Sequence, residues 1–313
     1  MKDEYAIEVK NLTKKFGKQL AVDDVSMNVK KGEVFGLLGP NGAGKTTILR
    51  MITTLTKATS GEINIFGHNV AKESLAVRSM FGLTGQYATV DEDISARENL
   101  MIFSRLNGLT RKEAKQRTHD LLEEFSLTES ADKAIRNFSG GMRRRLDLAV
   151  SLISRPPLIF LDEPTTGLDP RTRTQMWETI RELVAAGSTI VLTTQYLEEV
   201  DELADRIAVI DHGALIRVGT PDELKKSVGH SSLKIQLLDT THLREAQKLL
   251  GNILQTEVSI NEKTAELSAP LETVDYISTV LNELKKQKIE IENISVVKPS
   301  MDDVFFALTV GKN

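Results

Sequence analysis

One stretch restricts this chain more than anything else in it. Gly39-Pro40-Asn41-Gly42-Ala43-Gly44-Lys45-Thr46 satisfies the pattern G-x-x-x-x-G-K-[ST] at every position. An unbroken apolar run, Val34-Phe35-Gly36-Leu37-Leu38, precedes it and reads as a buried strand. Lys45 to Leu55 follows, with Ile48, Leu49, Ile52 and Leu55 at helical spacing. Strand, glycine-rich loop and helix is the context in which such a loop binds phosphate. The glycines let successive N–H groups turn inward, and the N-terminus of the following helix adds partial positive charge. Lys45 is then placed to reach the β- and γ-phosphates of a nucleotide, the Thr46 hydroxyl to ligate Mg²⁺, and Thr47 to add a phosphate hydrogen bond. By itself the loop leaves kinase, GTPase, helicase and transport ATPase open.

A second buried run, Leu158-Ile159-Phe160-Leu161, ends in Asp162-Glu163. An aspartate at a strand tip suits Mg²⁺, and a glutamate beside it suits a general base that polarises the attacking water. Two acids at a strand end also occur as solvated caps, but Pro164-Thr165-Thr166-Gly167-Leu168-Asp169 follows directly and argues against that.

The remaining pattern places these motifs in an α/β core. Ala6 to Lys10 and Asp24 to Val29 read as half-exposed strands, an N-terminal antiparallel β subdomain, with a turn at Lys31-Gly32-Glu33. Met80 to Thr84 is a strand. From about Ser95 to Ser154 the chain is mostly helical, with a capping box at Ser95-x-x-Glu98 and a surface helix from Lys112 to Phe125. Strands return at Thr189 to Leu192 and Ile207 to Ile210, separated by helices at Arg171 to Ala185 and Leu197 to Ala204. Alternation of buried strands and helices specifies a parallel sheet.

A second unit begins near residue 230. Strands at Leu233 to Leu238, about Thr256 to Ile260, Thr264 to Ser268 and Glu290 to Val297 alternate with helices at His242 to Leu250 and Leu271 to Lys286. That β-α-β-β-α-β order is ferredoxin-like. A short helix, Met301 to Leu308, closes it. The expected division is a nucleotide-binding domain over 1–225, its helical subdomain at about 87–155, and an accessory domain over 230–313. The tail carries no catalytic constellation and reads as a regulatory or dimer-contact domain.

Composition removes several function classes. The chain of 313 residues contains no cysteine, which excludes disulfides, thiolate metal sites and cysteine nucleophiles. A net charge of −4 gives no basic footprint for nucleic acid. The N-terminus lacks the apolar core of a secretory signal, and no apolar run approaches the roughly 20 residues a membrane helix needs. Action at a membrane therefore requires another polypeptide or domain to span it.

Taken together these motifs resemble the ATP-binding-cassette family. Phe138-Ser139-Gly140-Gly141-Met142 is similar to that family's signature sequence and lies shortly before the Asp-Glu strand, as it does there. Ser139 also reads as a plain helix N-cap, and the two readings are compatible. The resemblance covers residues 5 to about 222 and implies a phosphate-loop NTPase core using ATP and Mg²⁺. It implies that Ser139, Gly140 and Gly141 address the γ-phosphate of a nucleotide held by a second copy, in a head-to-tail sandwich dimer with a separate transmembrane permease subunit at the cytoplasmic face. It further implies that Phe16 stacks on adenine (the alternative is a core phenylalanine), that Gln86 joins the metal site to the helical subdomain, and that Asp169 crosses the dimer interface. A surface over Tyr87 to Asn99 would meet the membrane partner.

The sequence departs from the family at two places. Gln195 occupies the position of a histidine, and glutamine donates a neutral hydrogen bond but cannot become cationic. Met142 replaces the usual signature glutamine. The Thr193-Thr194-Gln195-Tyr196 segment, the Arg143-Arg144-Arg145 run and Pro299 to Phe305 resemble the drug-resistance exporters of the daunorubicin/doxorubicin type. The arginine run also reads as a solvated helix face. The leading function is thus the ATPase of a drug or antibiotic exporter. Non-transport family members in translation or DNA repair, and a slow nucleotide-dependent switch, are the alternatives.

Overall fold

The apolar runs become the centre of a six-stranded sheet. The computed structural model describes residues 4–84, 90–229 and 231–309. Two long strands open the chain, β1 (Tyr5–Phe16) and β2 (Gln19–Lys30), followed by β3 (Val34–Leu38), α1 (Lys45–Ile52), β4 (Ser60–Ile65), β5 (His68–Asn69), α2 (Ser74–Arg78) and β6 (Phe81–Thr84). Next come α3 (Ala96–Leu106), α4 (Arg111–Glu124), α5 (Gly140–Ser151), β7 (Leu158–Asp162), α6 (Pro170–Ala185), β8 (Thr189–Thr194), α7 (Leu197–Leu203), β9 (Arg206–Asp211) and β10 (Ala214–Gly219). After α8 (Pro221–Val228) the order is β11 (Ser231–Leu237), α9 (Leu243–Leu254), β12 (Ser259–Asn261), β13 (Glu266–Leu271), α10 (Asp275–Lys286), β14 (Ile291–Val297) and α11 (Met301–Thr309). The chain divides into two compact units, Met1–Pro221 and Asp222–Asn313.

In the first unit the sheet order is β10-β9-β3-β8-β7-β6. All its pairings are parallel except β9 with β10. Every residue of β3, β7 and β8 is buried, as strands covered on both faces must be. Phe35 and Phe160 are fully buried, each worth about 1.5–3 kcal/mol. The Phe81 ring meets Phe160 edge-on at 5.3 Å and helps hold β6 against β7. A second, antiparallel sheet has the order β2-β1-β4-β5, and its inward residues Ile7, Val9 and Ile63 share one core with Phe35, Leu37 and Ile48.

The strands β1 and β2 run well past the segments expected from alternation. The cause is local. Register breaks between Val9 and Leu12 and between Leu12 and Lys14 interrupt the two-residue period. Asn11 and Asp24 sit at positive φ there, and the Asn11 amide donates to the Asp24 carboxylate at 2.8 Å. The helix expected to reach Leu55 stops at Ile52. Thr53 turns its hydroxyl back to the Leu49 carbonyl at 2.9 Å, Thr54 enters the left-handed region, and Leu55 is left exposed. The capping box at Ser95 forms as expected, and Thr110 with Glu113 makes a second one that starts α4.

The second unit has sheet order β12-β13-β11-β14, with every pairing antiparallel. This is the ferredoxin-like arrangement. Leu233, Ile235, Leu237, Leu267, Ala269 and Leu271 point to one face, where Leu243, Ala246 and Leu250 of α9 and Val280 and Leu284 of α10 cover them. The helix expected from Leu271 begins at Asp275, because Leu271 ends β13 with its side chain in that core.

Candidate functional site

Parallel strands deliver their C-terminal ends to one edge, and ligands of open α/β sheets bind there. The loop after β3 begins at Gly39, the acids follow β7, and Gln195 follows β8. Gly39 packs so closely on the Ile210 carbonyl that an added Cβ would lie 2.2 Å from that oxygen. Gly44 lies at φ 106°, and a Cβ there would stand 2.7 Å from the Ala21 carbonyl oxygen. The loop is therefore clamped between β9 and β2, with Lys45 and Thr46 opening α1 behind it.

A cavity of about 530 Å³ lies over this edge, within the range of small-ligand sites. The loop and helix start Asn41 to Thr47, Phe16 and Glu163 face it together. Phe16 is 51% exposed, so the core reading of this residue is overturned. Lys14 places its ammonium 4.8 Å from the Phe16 ring centroid. Residues that the sequence did not single out also line the cavity: Gln19 to Ala21 at the β1–β2 turn, and His212 and Gly213 at the β9–β10 turn. They arrive by packing, and no local spacing announces them.

Lys45 is buried, and its Nζ donates to the Gly39 carbonyl at 2.6 Å and the Pro40 carbonyl at 3.0 Å. Burial lowers its pKa from the ordinary lysine value, while the carboxylates of Glu163 and Asp162 work in the opposite direction. Thr46 Oγ1 lies 3.4 Å from Asp162 Oδ1. Thr193 of β8, in register with Asp162, donates its hydroxyl to the same carboxylate oxygen. The Glu163 N–H donates to the Thr193 carbonyl at 3.0 Å and also meets its hydroxyl at 3.2 Å. Glu163 sits at φ 49°, and Thr166 donates its hydroxyl to its carboxylate at 3.1 Å.

Ser139 caps α5 by accepting from the Met142 N–H at 3.3 Å, and both Ser139 and Gly140 are exposed. Gly141 is buried against Thr172, whose Cγ2 would be 2.2 Å from an added Cβ. Asp169 caps α6, accepting from the Thr172 N–H at 3.0 Å and its hydroxyl at 2.6 Å. Those bonds, the hydroxyl first, hold its carboxyl pKa down. Ser139, Gly140, Gly141, Asp169 and the half-buried Gln195 do not line the cavity of their own chain. Gln86 lies outside the described residues.

The arginine run is not a solvated face. Each of the three side chains is partly buried and reaches back into the fold. Arg143 pairs with Glu92 at 3.0 Å, Arg144 donates to carbonyls of the loop after β7, and Arg145 donates to the Phe125 carbonyl at 3.0 Å. Burial works against the charge of Arg144 and Arg145, and hydrogen bonds from their guanidinium groups to backbone carbonyls hold both side chains in the fold.

The family described as ABC transporter matches residues 22–166. The C-terminal domain of DrrA1-3-like ATP-binding proteins matches residues 219–309. The daunorubicin/doxorubicin resistance ATP-binding protein DrrA of Streptomyces peucetius is 45% identical over 97% of this chain and 92% of its own. This chain belongs to the ABC transporter ATP-binding proteins. The linearmycin resistance ATP-binding protein LnrL of Bacillus subtilis (strain 168) is 35% identical over 97% of this chain and 98% of its own. A solved ATP-binding subunit of an ABC transporter superposes with a TM-score of 0.64 at 30% identity, covering 71% of this chain and 92% of that one. A dimeric ATP-binding cassette in a post-hydrolysis state with ADP and Pi superposes at 0.62 with 27% identity, over 68% of this chain and 98% of that one.

As an ABC ATPase the chain binds and hydrolyses ATP and energises a transporter whose membrane-spanning part is a different polypeptide or domain. Among the described residues no helix is long and apolar enough to cross a membrane. None of the relatives named here is a translation or DNA-repair factor.

Proposed function

We propose that this ABC ATPase drives export of drugs, antibiotics or other amphiphiles, and that it works as a head-to-tail pair of copies closed around two nucleotides. The observation that carries the reading is the cavity in which Phe16, the phosphate loop, Lys45 and Glu163 face one space. Nucleotide phosphates fit along the loop and the N-terminus of α1. Adenine fits against Phe16, and Lys45 exchanges its loop carbonyls for the β- and γ-phosphates. Glu163, oriented by Thr166, accepts a proton from the water that attacks the γ-phosphorus as the bond to the ADP oxygen breaks. Gln195 donates a neutral hydrogen bond to the γ-phosphate.

The two oxygen donors Thr46 and Asp162 fit Mg²⁺, a hard cation that completes its shell with water and substrate phosphate rather than an all-protein cage. Among the described residues no cluster of three or more His, Cys, Asp or Glu forms such a cage. Gln86 belongs to the same proposed set. When bound, Mg²⁺ neutralises charge on the phosphate oxygens.

The exposed N-terminus of α5 supports the two-copy reading, since Ser139 and Gly140 stand exposed away from their own cavity, available to a nucleotide held by a second copy, with the buried Gly141 behind them. Asp169 belongs to the same proposed interface. The cargo class follows from relatives named for daunorubicin, doxorubicin and linearmycin resistance. The chain would then sit at the cytoplasmic side of the membrane, attached through its permease by residues 87–99, of which 87–89 lie outside the described residues. Nucleic acid is not among its partners.

The test compares the purified chain with Glu163→Gln, following oligomeric state with and without ATP–Mg²⁺ and phosphate release in parallel. The expected result is that the variant dimerises on ATP and loses turnover by at least about 100-fold, the scale of removing a general base. A variant that stays monomeric with ATP bound refutes the sandwich, and one that hydrolyses like the parent refutes the role of Glu163.

A further inference from the structure

Three consecutive carbonyls, at the last residue of β7 and the first two residues after it, converge on one side chain. Arg144 Nη2 donates to the Asp162 carbonyl at 2.8 Å and to the Glu163 carbonyl at 3.1 Å, while its Nε donates to the Pro164 carbonyl at 3.0 Å. Arg144 stands on α5, whose first turn carries Ser139 to Gly141, so the signature helix is bound directly to the segment that aims Glu163.

That segment needs fixing. At φ 49° Glu163 occupies the left-handed region, which is strained for a non-glycine residue and persists only where the surroundings over-determine it. Thr193 fixes the Glu163 N–H from β8, and Arg144 fixes the carbonyls on either side from α5. Burial acts against the charge of the guanidinium, and the carboxylates of Asp147, Asp162, Glu199 and Glu163 offset only part of that. The same helix also packs Gly141 onto Thr172, the residue that holds Asp169.

We infer that Arg144 is a positioning residue for hydrolysis, transmitting the position of the signature helix to the Glu163 carboxylate of the same chain. Displacement of α5 on meeting a nucleotide in a second copy moves the Asp162–Pro164 carbonyls with it, so each chain's general base is aligned by what its signature helix touches. This rests on the proposed roles of Glu163 and the signature helix. It adds a residue that stands outside the lining of the nucleotide cavity.

The test is steady-state ATP hydrolysis by the full chain carrying Arg144→Met or Arg144→Lys, alone and combined with Glu163→Gln, with a fluorescent ATP analogue measuring binding. Methionine keeps the volume and removes all three bonds, whereas lysine keeps a charge that reaches one carbonyl at a time. The expected result is a kcat loss of about 10- to 100-fold in Arg144→Met, the scale of misplacing a catalytic group. KM and analogue affinity stay within about threefold, Arg144→Lys recovers part of kcat, and Arg144→Met causes no further loss on the Glu163→Gln background. If Glu163→Gln abolishes turnover while both Arg144 variants keep the parent kcat, the inference fails and the Glu163 assignment stands. If Glu163→Gln keeps parental turnover, the Glu163 assignment fails and the inference with it. A fall in analogue affinity matching the fall in kcat in both Arg144 variants reduces Arg144 to a structural residue and overturns the inference.

Discussion

At the scale of single residues, the site is assembled from two kinds of neighbour. Gly39 to Thr47 and Asp162-Glu163 are contiguous, and their chemistry is readable because spacing along the chain is their geometry. Thr193 is different. Its hydroxyl donates to Asp162, and its carbonyl accepts from the Glu163 N–H. Replacing it with valine keeps the shape and the β-branch but leaves a buried carboxylate oxygen short of a donor, at a cost of about 1–3 kcal/mol. Thr193→Val is expected to lower kcat by about 10-fold or more and to weaken the dependence on Mg²⁺, read by phosphate release across a Mg²⁺ titration. Parental kinetics would show that Asp162 is held well enough by its strand. The sequence marks Thr193 and Arg144 only as members of a Thr-Thr-Gln-Tyr segment and an arginine run, and not for these contacts, since β7–β8 register and the packing of α5 bring them in. Phe16 shows the converse. A phenylalanine in a strand is ordinarily core, and only its 51% exposure beside the cavity separates the two readings.

At the scale of elements, the helices and strands that bury on both faces or carry caps are the ones legible beforehand. β3, β7, β8 and the Ser95 cap follow the expected positions, whereas β1 and β2 are misjudged where bulges break the period, and α1 where Thr53 and Thr54 end it. α7 carries a feature that no periodicity reveals. Glu199 is fully buried, near Trp177 Nε1 at 3.4 Å, and burial raises its pKa. The polar groups of Thr194, Thr165 and Trp177 and the charge of Arg173 oppose that rise less strongly. The folded chain therefore keeps the Glu199 proton to higher pH than the unfolded chain does. Its contribution to stability is greatest below the ordinary carboxyl value of 4.5 and declines as pH rises through the raised value. Glu199→Gln should melt like the parent near pH 4 and above it near pH 8, by about 2–4 °C for each kcal/mol relieved. Parallel melting curves at both pH values would show that the carboxyl titrates alike folded and unfolded.

At the scale of the whole molecule, the tail poses the question of independence. Its element order is readable from alternating strand and helix patterns, yet the strand order β12-β13-β11-β14 is not, because it depends on which edges pair across the chain. Once paired, the sheet buries Leu233, Ile235, Leu237, Leu267 and Leu271 under α9 and α10 with Leu250, Val280 and Leu284, a core drawn wholly from residues after 230. A unit with its own core and a complete antiparallel sheet is expected to fold alone. The fragment 222–313 should therefore show a single cooperative thermal transition and the circular dichroism of a mixed α/β domain. A chain ending at residue 229 should still bind an ATP analogue with affinity within about threefold of the parent, since Phe16, the phosphate loop and Glu163 all lie in the first unit. A fragment that melts without cooperativity would mean that the tail's core requires the nucleotide-binding unit to form. A tail-less chain that no longer binds nucleotide would place part of the phosphate site's stability in the second unit.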